Sequence, residues 1–554
     1  HKLTDNIVSL QFSKEKLLSV GNNLDINEIS NNKWIVEQVD SRIEPFLCLF
    51  IQGLRLQQAL EPFTSTFEEL WVLRPLFSPI ISRFTFHFME ESDTNRIDKP
   101  EWAFSFIGNT ISDHAEFFLV YIQPWINLES KTVVPDAKNL FIKQLVQLIE
   151  GKLLNDMPEL LTKYQNLYCH TLNECVKLDT LLFDVHNYPR GSKSPLESFA
   201  YNEELLSSWI KIEFHVFERQ LKKVLKSKTK WELQFDNMPD IDTLKPTRSA
   251  ESIIVMIESL TNRYKRLLHV DDKLRMFKEI QEQALLTYCN EMDSYFDSLQ
   301  HARTLTPDLV RKFTRLCNSA NYISLILRDW SEQIEFLEMQ YCVELESKDP
   351  AEEFLPEDVE GVLFHAPIEQ CNDILSKSLQ GLCSVICMNF QGGSQAYFNE
   401  RRKRLTNILT YDVSPNMCTP LFDLKESIDV VMEELSPILI ERFWSIFTPE
   451  LDDIILSSII NGKTTFSPHT AEQLRYNMKA LFSFIKPYYS PKETLFPKTK
   501  DCIHVLIMDK PDLRQLSTDL NFLNAKEQKN ILQEYRISLL SGRETETLIK
   551  KRTD

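Results

Sequence analysis

Four stretches of the sequence carry residue types that could do chemistry. The first, Asn461-Gly462-Lys463-Thr464-Thr465, reads as the end of a phosphate-cradling loop, in which backbone N–H groups and a lysine hold a nucleotide's phosphates. That loop needs a second glycine five residues before Gly462, and Ser457 stands there. It also needs a preceding strand, whereas "LDDIILSSII" from Leu451 to Ile460 has the pattern of a helix. Asn461-Gly462 then reads as a left-handed C-terminal cap. The second stretch, Cys169-His170 with Cys175, offers three soft ligands close together. Structural zinc takes four, usually as two close pairs, and no second pair lies nearby. The third group is the adjacent acids: Glu352-Glu353, Glu357-Asp358, Glu433-Glu434 and Asp452-Asp453. Paired carboxylates can share acid–base work, but neighbours along a helix point about 100° apart. They read as solvated surface. The fourth is "RFTFHF", Arg83 to Phe88, whose strict alternation on a strand would present His87 as a base. No GxSxG, HExxH or GxGxxG occurs, and the histidines are isolated from one another in the sequence. No catalytic, cofactor-binding or metal-ligating residue is therefore assigned, and no enzyme activity or cofactor is expected.

The elements that would position such groups are helices. Eleven glycines in 554 residues is about 2%, against a usual share of roughly 7%. Sheets, nucleotide loops and tight hairpins need glycine for positive φ. Apolar residues recur at steps of three and four: Ile142, Leu145, Ile149, Leu153, Met157, Leu160; then Ile210, Phe214, Phe217, Leu221, Val224; then Ile253, Met256, Leu260, Tyr264, Leu267. Two further stripes are Ile323, Ile326, Trp330, Ile334, Leu337, Tyr341 and Leu474, Met478, Leu481, Ile485, Tyr488. Each set lies on one face of a helix, as antiparallel packing requires. In a longer window "RFTFHF" joins Leu73, Leu76, Ile80, Phe84 and Phe88, a helix ending near Phe88 with Phe86 turned sideways. Pro100 starts the next helix, with Asp98 or Lys99 at its cap and Trp102, Phe106 and Ile107 on one face. His87 then lies at a helix end.

Polar, Pro-bearing breaks fall at "EESDTNRIDKP", "HNYPRGSKSP", "FDNMPDIDTLKPT", "ESKDPAEEFLPEDVEG" and "YYSPKETLFPKTK". They suggest four consecutive bundles: 1–92, 98–236, 246–346 and 360–554. The expected fold is all-α, an elongated rod of antiparallel helical bundles.

The net charge of −18 argues against general nucleic-acid binding, which needs a basic surface. Basic clusters occur at Lys222, Lys223, Lys226, Lys228 and Lys230, at Arg401 to Arg404, and at Lys550, Lys551 and Arg552. They read as solvated faces and a charged terminus, or as patches for acidic partners or anionic lipid. The eleven cysteines contain no CxxC and read as reduced, buried thiols in a cytosolic chain; Cys383 and Cys387, one turn apart, read as core. No apolar run spans a bilayer and no signal peptide is evident. The chain starts at His1, so an N-terminal region is expected to precede it.

"RFTFHF", then Thr94-Asn95, then "KPEW" at Lys99 to Trp102, resembles the signature of the RINT/TIP family. Trp209 in "LLSSWIKIE", "TNRYKRL" from Thr261, "NYISLILRDW" from Asn321, Phe443-Trp444 and "QLRYNMKALF" from Gln473 agree in order. The resemblance covers nearly the whole chain from about Glu44. It implies a CATCHR-type helical rod without a catalytic site. It implies a large subunit of the Dsl or NRZ tethering complex on the cytosolic face of the endoplasmic reticulum. Such subunits bind SNAREs of that membrane, join other subunits through an N-terminal helical segment, and help capture Golgi-derived retrograde vesicles. The segment that would pair with the second rod subunit is not evident in this chain. The loop after Phe88 is acidic (Glu90, Glu91, Asp93), unlike the Gly and basic residue of relatives. The alternative is a cytosolic or nuclear helical adaptor with a checkpoint role and no membrane function.

Overall fold

Apolar residues at steps of three and four become buried faces in a computed structural model that describes residues 44–60, 70–129, 136–235, 243–302, 305–347, 362–400, 412–489, 495–520 and 525–553. Among the described residues the chain is all-α, and the extended pairings are two isolated bridges, Leu233 with Thr247 and Phe466 with Arg552. The described residues up to Val216 together with Glu258–Ile280 cluster as one compact unit; the described residues of 217–257 and of 281–554 form a second.

The first unit contains helices α1 (Glu44–Leu60), α2 (Arg74–Phe88), α3 (Pro100–Phe117), α4 (Gln123–Glu129), α5 (Ala137–Thr162) and α6 (Gln165–Thr180). Helices α7 (Glu203–Leu225) and α8 (Arg248–Tyr264) contribute to both units, and α9 (Val270–Met276) belongs to the first. Helix α5 is its centre, packing on α2, α3 and α6. Its predicted stripe, from Ile142 to Leu160, is buried throughout. Phe141 at its start stacks on Phe118 with ring centroids 4.5 Å apart, and Phe77 lies 5.7 Å from both.

The second unit contains α10 (Gln283–Gln300), α11 (Pro307–Ser331), α12 (Ile334–Ser347), α13 (His365–Phe398), α14 (Pro415–Glu434), α15 (Pro437–Asn461), α16 (Pro468–Ile485), α17 (Pro497–Ile507), α18 (Lys510–Leu520), α19 (Ala525–Glu534) and α20 (Gly542–Lys550). Helix α13 is its spine and packs against α10, α11, α14 and α15. A helix covered on several sides needs more than one apolar stripe and some small side chains. Cys371, Ser378, Cys383, Cys387 and Ser394 supply them. A Cβ on Gly381 would stand 3.2 Å from the rings of both Phe296 and Phe313. Cys383 and Cys387 are core residues, as expected.

Helix starts are written in the sequence. Proline occupies the first turn of α2, α3, α11, α14, α15, α16 and α17, where its missing N–H is not needed. Asp136 and Thr306 accept from the N–H groups of Asn139 and Leu309, and Ser467 and Ser541 form capping boxes. Helix ends are closed differently. Gly191 is the one described glycine with positive φ, and it lies in a loop. Side chains from beyond the helix, some near in sequence and some distant, reach the terminal carbonyls instead. Lys230 donates to Leu225 O (2.9 Å) at the end of α7, and Gln340 to Ser331 O (2.9 Å) at the end of α11. Asn318 and Lys245 close α14 on Glu434 O (2.9 Å) and Glu433 O (2.6 Å). Arg552 donates to Leu506 O (2.6 Å) and Met508 O (2.9 Å) beyond α17.

Several expectations change for this reason. Glu434 is buried rather than solvated, held by Arg311 (3.1 Å) and Arg315 (2.8 Å). Asp452 is buried and accepts from Lys498 N (2.9 Å), Thr499 N (2.8 Å) and Thr499 Oγ1 (2.6 Å) at the start of α17. Their neighbours Glu433 and Asp453 are exposed, because adjacent helical residues diverge. Arg552 and Lys551 are structural, not a solvated terminus, since Lys551 donates to Gly462 O. On α7 the buried face runs through Trp209 and Glu213 and leaves Phe214 exposed. The stripe from Ile323 to Tyr341 is two helices: α11 stops at Ser331, the register resets, and Ile334 and Tyr341 face solvent while Phe336 and Met339 are buried. Helix α16 ends at Ile485, so Tyr488 leaves the stripe and is exposed. Glu352-Glu353, Glu357-Asp358, Arg401 to Arg404 and most of "ESKDPAEEFLPEDVEG" lie outside the described residues.

Replacing Asp452 by Ala removes the acceptor for three donors at the start of α17. The expected cost is about 2–4 kcal/mol, read as faster amide exchange across Pro497–Ile507 and a lower melting temperature; unchanged exchange there would refute the capping role.

Candidate functional site

The junction from Arg83 to Trp102 has the predicted form: α2 ends at Phe88 and α3 begins at Pro100. Phe84 and Phe88 pack on Phe106, with centroids 5.8 and 5.7 Å apart, and the Arg83 guanidinium lies over the same ring. Phe86 is 57% exposed. His87 Nδ1 lies 3.2 Å from Thr94 Oγ1, and that hydroxyl donates to His87 O (2.8 Å). Asn95 donates to Glu90 O (3.0 Å) and accepts from Lys152 Nζ (2.8 Å), a buried lysine that also pairs with Asp156 (2.9 Å). Thr94 and Asn95 thus fold the acidic loop over the end of α2 and tie it to α5. The cap residue Lys99 makes no side-chain cap bond, and Asp98 pairs with Arg96 (2.7 Å). On α3 the buried face is Ala103, Phe104, Ile107 and Ile111. Trp102, 41% exposed, stands outside it with Arg96 over its ring.

The other motif residues are equally structural. Trp209 is fully buried, and its indole donates to Glu213 (3.4 Å), which also takes Arg263 (2.8 Å). Tyr322 donates to Glu251 (2.5 Å). Phe443 and Trp444 are core, and Trp444 stacks on Tyr489 (5.4 Å). Gln473 donates to Asp412 O (2.7 Å), and Asn477 holds Ser414 through its N–H (3.0 Å) and hydroxyl (3.1 Å).

The candidate chemical sites resolve in the same way. Helix α15 ends at Asn461, but Gly462 is extended, with φ −61° and ψ 160°, not left-handed. Glycine is needed there because a Cβ would collide with Phe398 O and Ser458 O. Lys463 N–H donates to Asn399 Oδ1 (3.2 Å), Thr464 N–H to Phe398 O (3.0 Å) and Thr464 Oγ1 to Tyr397 O (3.1 Å). The segment is a clip on the end of α13, with the Lys463 and Thr464 N–H groups and the Thr464 hydroxyl used internally. His170 turns to Glu101 (3.1 Å), while Cys175 is buried and burial holds its thiol well above the ordinary range. Among the described residues no group of three or more His, Cys, Asp or Glu is placed to hold a metal ion.

Sequence reasoning missed a set of buried acids beneath the loop 186–202. Ser194 to Phe199 of that loop are buried, although the polar break read from His186 to Pro195 includes the first two of them. Glu150 pairs with Lys193 (2.9 Å), Glu197 accepts from Leu268 N (2.7 Å), and Asp179 accepts from Ser194 Oγ (2.6 Å) with Arg266 at 3.9 Å. Burial raises all three carboxyls, Asp179 to about 7. A cleft of about 480 Å³ opens between α11 and α13, lined by Arg328, Glu332, His365, Ile368, Glu369 and Asp373.

These geometries define a helical scaffold in which the residues that could have carried chemistry serve largely in packing and in closing helix ends. A profile of the RINT-1/TIP-1 family matches residues 71–552, and the chain belongs to that family. It is 24% identical over 494 residues to a RINT1-like protein of Drosophila melanogaster, covering 87% of this chain and 64% of that one. It is 22% identical over 277 residues to protein transport protein tip20 of Schizosaccharomyces pombe (47% and 39% covered). The RINT1-like protein MAG2 of Arabidopsis thaliana is 20% identical over 546 residues (91% and 66%). The chain therefore spans less than two thirds of the length of these relatives. Its fold is similar to that of the Dsl1 complex subunit Tip20 solved with the SNARE Sec20: TM-score 0.63, 15% identity, 95% of this chain and 88% of that one covered.

Two outcomes are expected. Phe84→Ala, in the core, costs about 3–5 kcal/mol, whereas Phe86→Ala, two residues away and exposed, stays within about 0.5 kcal/mol; thermal melts compare them. Asp179 has a folded pKa of about 7 against an ordinary 3.8. Below 3.8 it is protonated in both states; as pH rises towards 7 the unfolded chain loses the proton first, so stability falls across that window. Asp179→Asn should flatten this part of the stability–pH curve.

Proposed function

We propose that the chain is the scaffold portion of a non-catalytic subunit of a multisubunit tethering complex at the endoplasmic reticulum. It binds SNAREs of that membrane and supports capture and fusion of Golgi-derived retrograde vesicles. The observation that carries this reading is the family match across residues 71–552. The fold likeness to Tip20, a Dsl1 complex subunit solved with the SNARE Sec20, supports it. The chemistry is consistent. The sites that could have been catalytic are used as helix clips and caps, and function passes to exposed faces. Among the described residues no helix is long and apolar enough to cross a membrane; in this reading the chain reaches the cytosolic face of the membrane through its partners. In this reading, partner subunits join through an N-terminal helical segment.

The four-bundle division, 1–92, 98–236, 246–346 and 360–554, belongs to the same proposal. It lets successive bundles extend reach, since each helix rises 1.5 Å per residue.

The test is capture of this chain by the immobilised cytosolic domain of an endoplasmic-reticulum SNARE, with small-angle scattering on the free chain. Saturable capture and an extended scattering profile are expected. Capture by no such SNARE would move the reading to a helical adaptor without a membrane role; a spherical profile would contradict the chain of bundles.

A further inference from the structure

The net charge of the chain is −18, yet six of the twelve residues from Arg219 to Lys230 are basic and none is acidic. The stretch runs off the end of α7 at Leu225 into a turn of the second unit. Two of the six are engaged: Lys222 pairs with Glu218 (2.6 Å), and Lys230 pairs with Glu291 (2.5 Å) while closing Leu225 O. Arg219, Lys223, Lys226 and Lys228 are exposed and meet no acid or acceptor among the described residues. One or two cations complement a helix C-terminus, an effect confined to the last turn. Four more in the same place repel one another and are not explained by the fold.

We propose that this lobe docks on an anionic lipid surface. Lysine dominates it, and lysine is a hydrated point charge suited to a diffuse field of headgroups; recognition of a single carboxylate or phosphate favours the arginine fork. The lobe is carried on a helix end and turn, and the exposed Phe235 follows it, an aromatic able to enter a headgroup layer. Lysines near an anionic leaflet each add a modest attraction that dies within a Debye length. The contact is therefore weak and salt-sensitive alone, and strong once a partner holds the chain at the membrane. The inference goes beyond the tethering role and stands without it.

The experiment is flotation of the whole chain with phosphatidylcholine vesicles, with and without about 30% phosphatidylserine, at low and high salt. Binding should require phosphatidylserine and fade at high salt. The triple variant Lys223→Gln, Lys226→Gln, Lys228→Gln should lower it about tenfold or more. A control triple, Lys312→Gln, Lys377→Gln, Lys425→Gln, removes the same charge at lysines paired with Asp308, Asp293 and Asp429, and should change binding less than about twofold. Equal loss in both triples would overturn the proposal in favour of a net-charge effect. Equal binding to uncharged vesicles would overturn it too, as would capture by soluble polyglutamate without vesicle binding, which would mark an acidic-protein site.

Discussion

The structure depends on how its helices end. Each helix leaves four carbonyls and four N–H groups without an internal partner, and buried ends cannot leave them bare. Glycine commonly closes a C-terminus by turning left-handed, and this chain has almost none to spare. Its solution is remote. Lys230, Lys245, Asn318, Gln340 and Arg552 bring donors to the carbonyl ends, while Asp452 and the capping serines bring acceptors to the N–H ends. The signs follow the helix dipole: cations at the negative end, carboxylates at the positive one. Ser467 and Ser541 cap their own helices, but Asn318, Gln340, Lys245, Arg552 and Asp452 each tie a helix end to another part of the chain, so there capping and tertiary packing are a single act.

That constraint explains where the charged residues went. Asp452 and Glu434 read as solvated from their neighbours but are buried, Asp452 because the start of α17 required an acceptor and Glu434 because Arg311 and Arg315 of α11 pair with it. Asn461 to Thr465 resembles a phosphate cradle because both tasks gather N–H groups and hydroxyls around a glycine; here the acceptors are the last carbonyls of α13. Burial has an electrical consequence as well. Asp179 and Glu150 lie under the loop that carries Glu197; Lys193, Arg266, His269 and the donors Ser194 Oγ and Leu268 N favour the ionised carboxyls, and desolvation outweighs them.

The same economy bears on function. The stretches that carry the family resemblance, from Thr94-Asn95 to Trp209, Trp444 and Asn477, are packing and clip residues. A scaffold family is recognisable by what holds its scaffold. Phe86, Trp102 and the lysines at the end of α7 are exposed, and packing does not dictate their identity. No spacing rule marks them, which is why the motifs name the family and leave the gripping surface unnamed.

By itself the sequence determined the all-α class, the start of α3 at Pro100, and the central stripes of α5 and α16, since glycine scarcity, φ restriction and a 3.6-residue period are local properties. It also determined that "RFTFHF" ends a helix. Only the tertiary structure decided that Glu213 and not Phe214 is buried on α7, that the register resets after Ser331, and that Gly462 is extended. A stripe counts apolar residues, whereas burial is settled by which partner offers a charge or carbonyl to a given face. Those partners lie tens to hundreds of residues away, Arg263 for Glu213, Arg315 for Glu434, Phe398 for the Gly462 clip, and distance along the chain carries no signal that a local pattern can read.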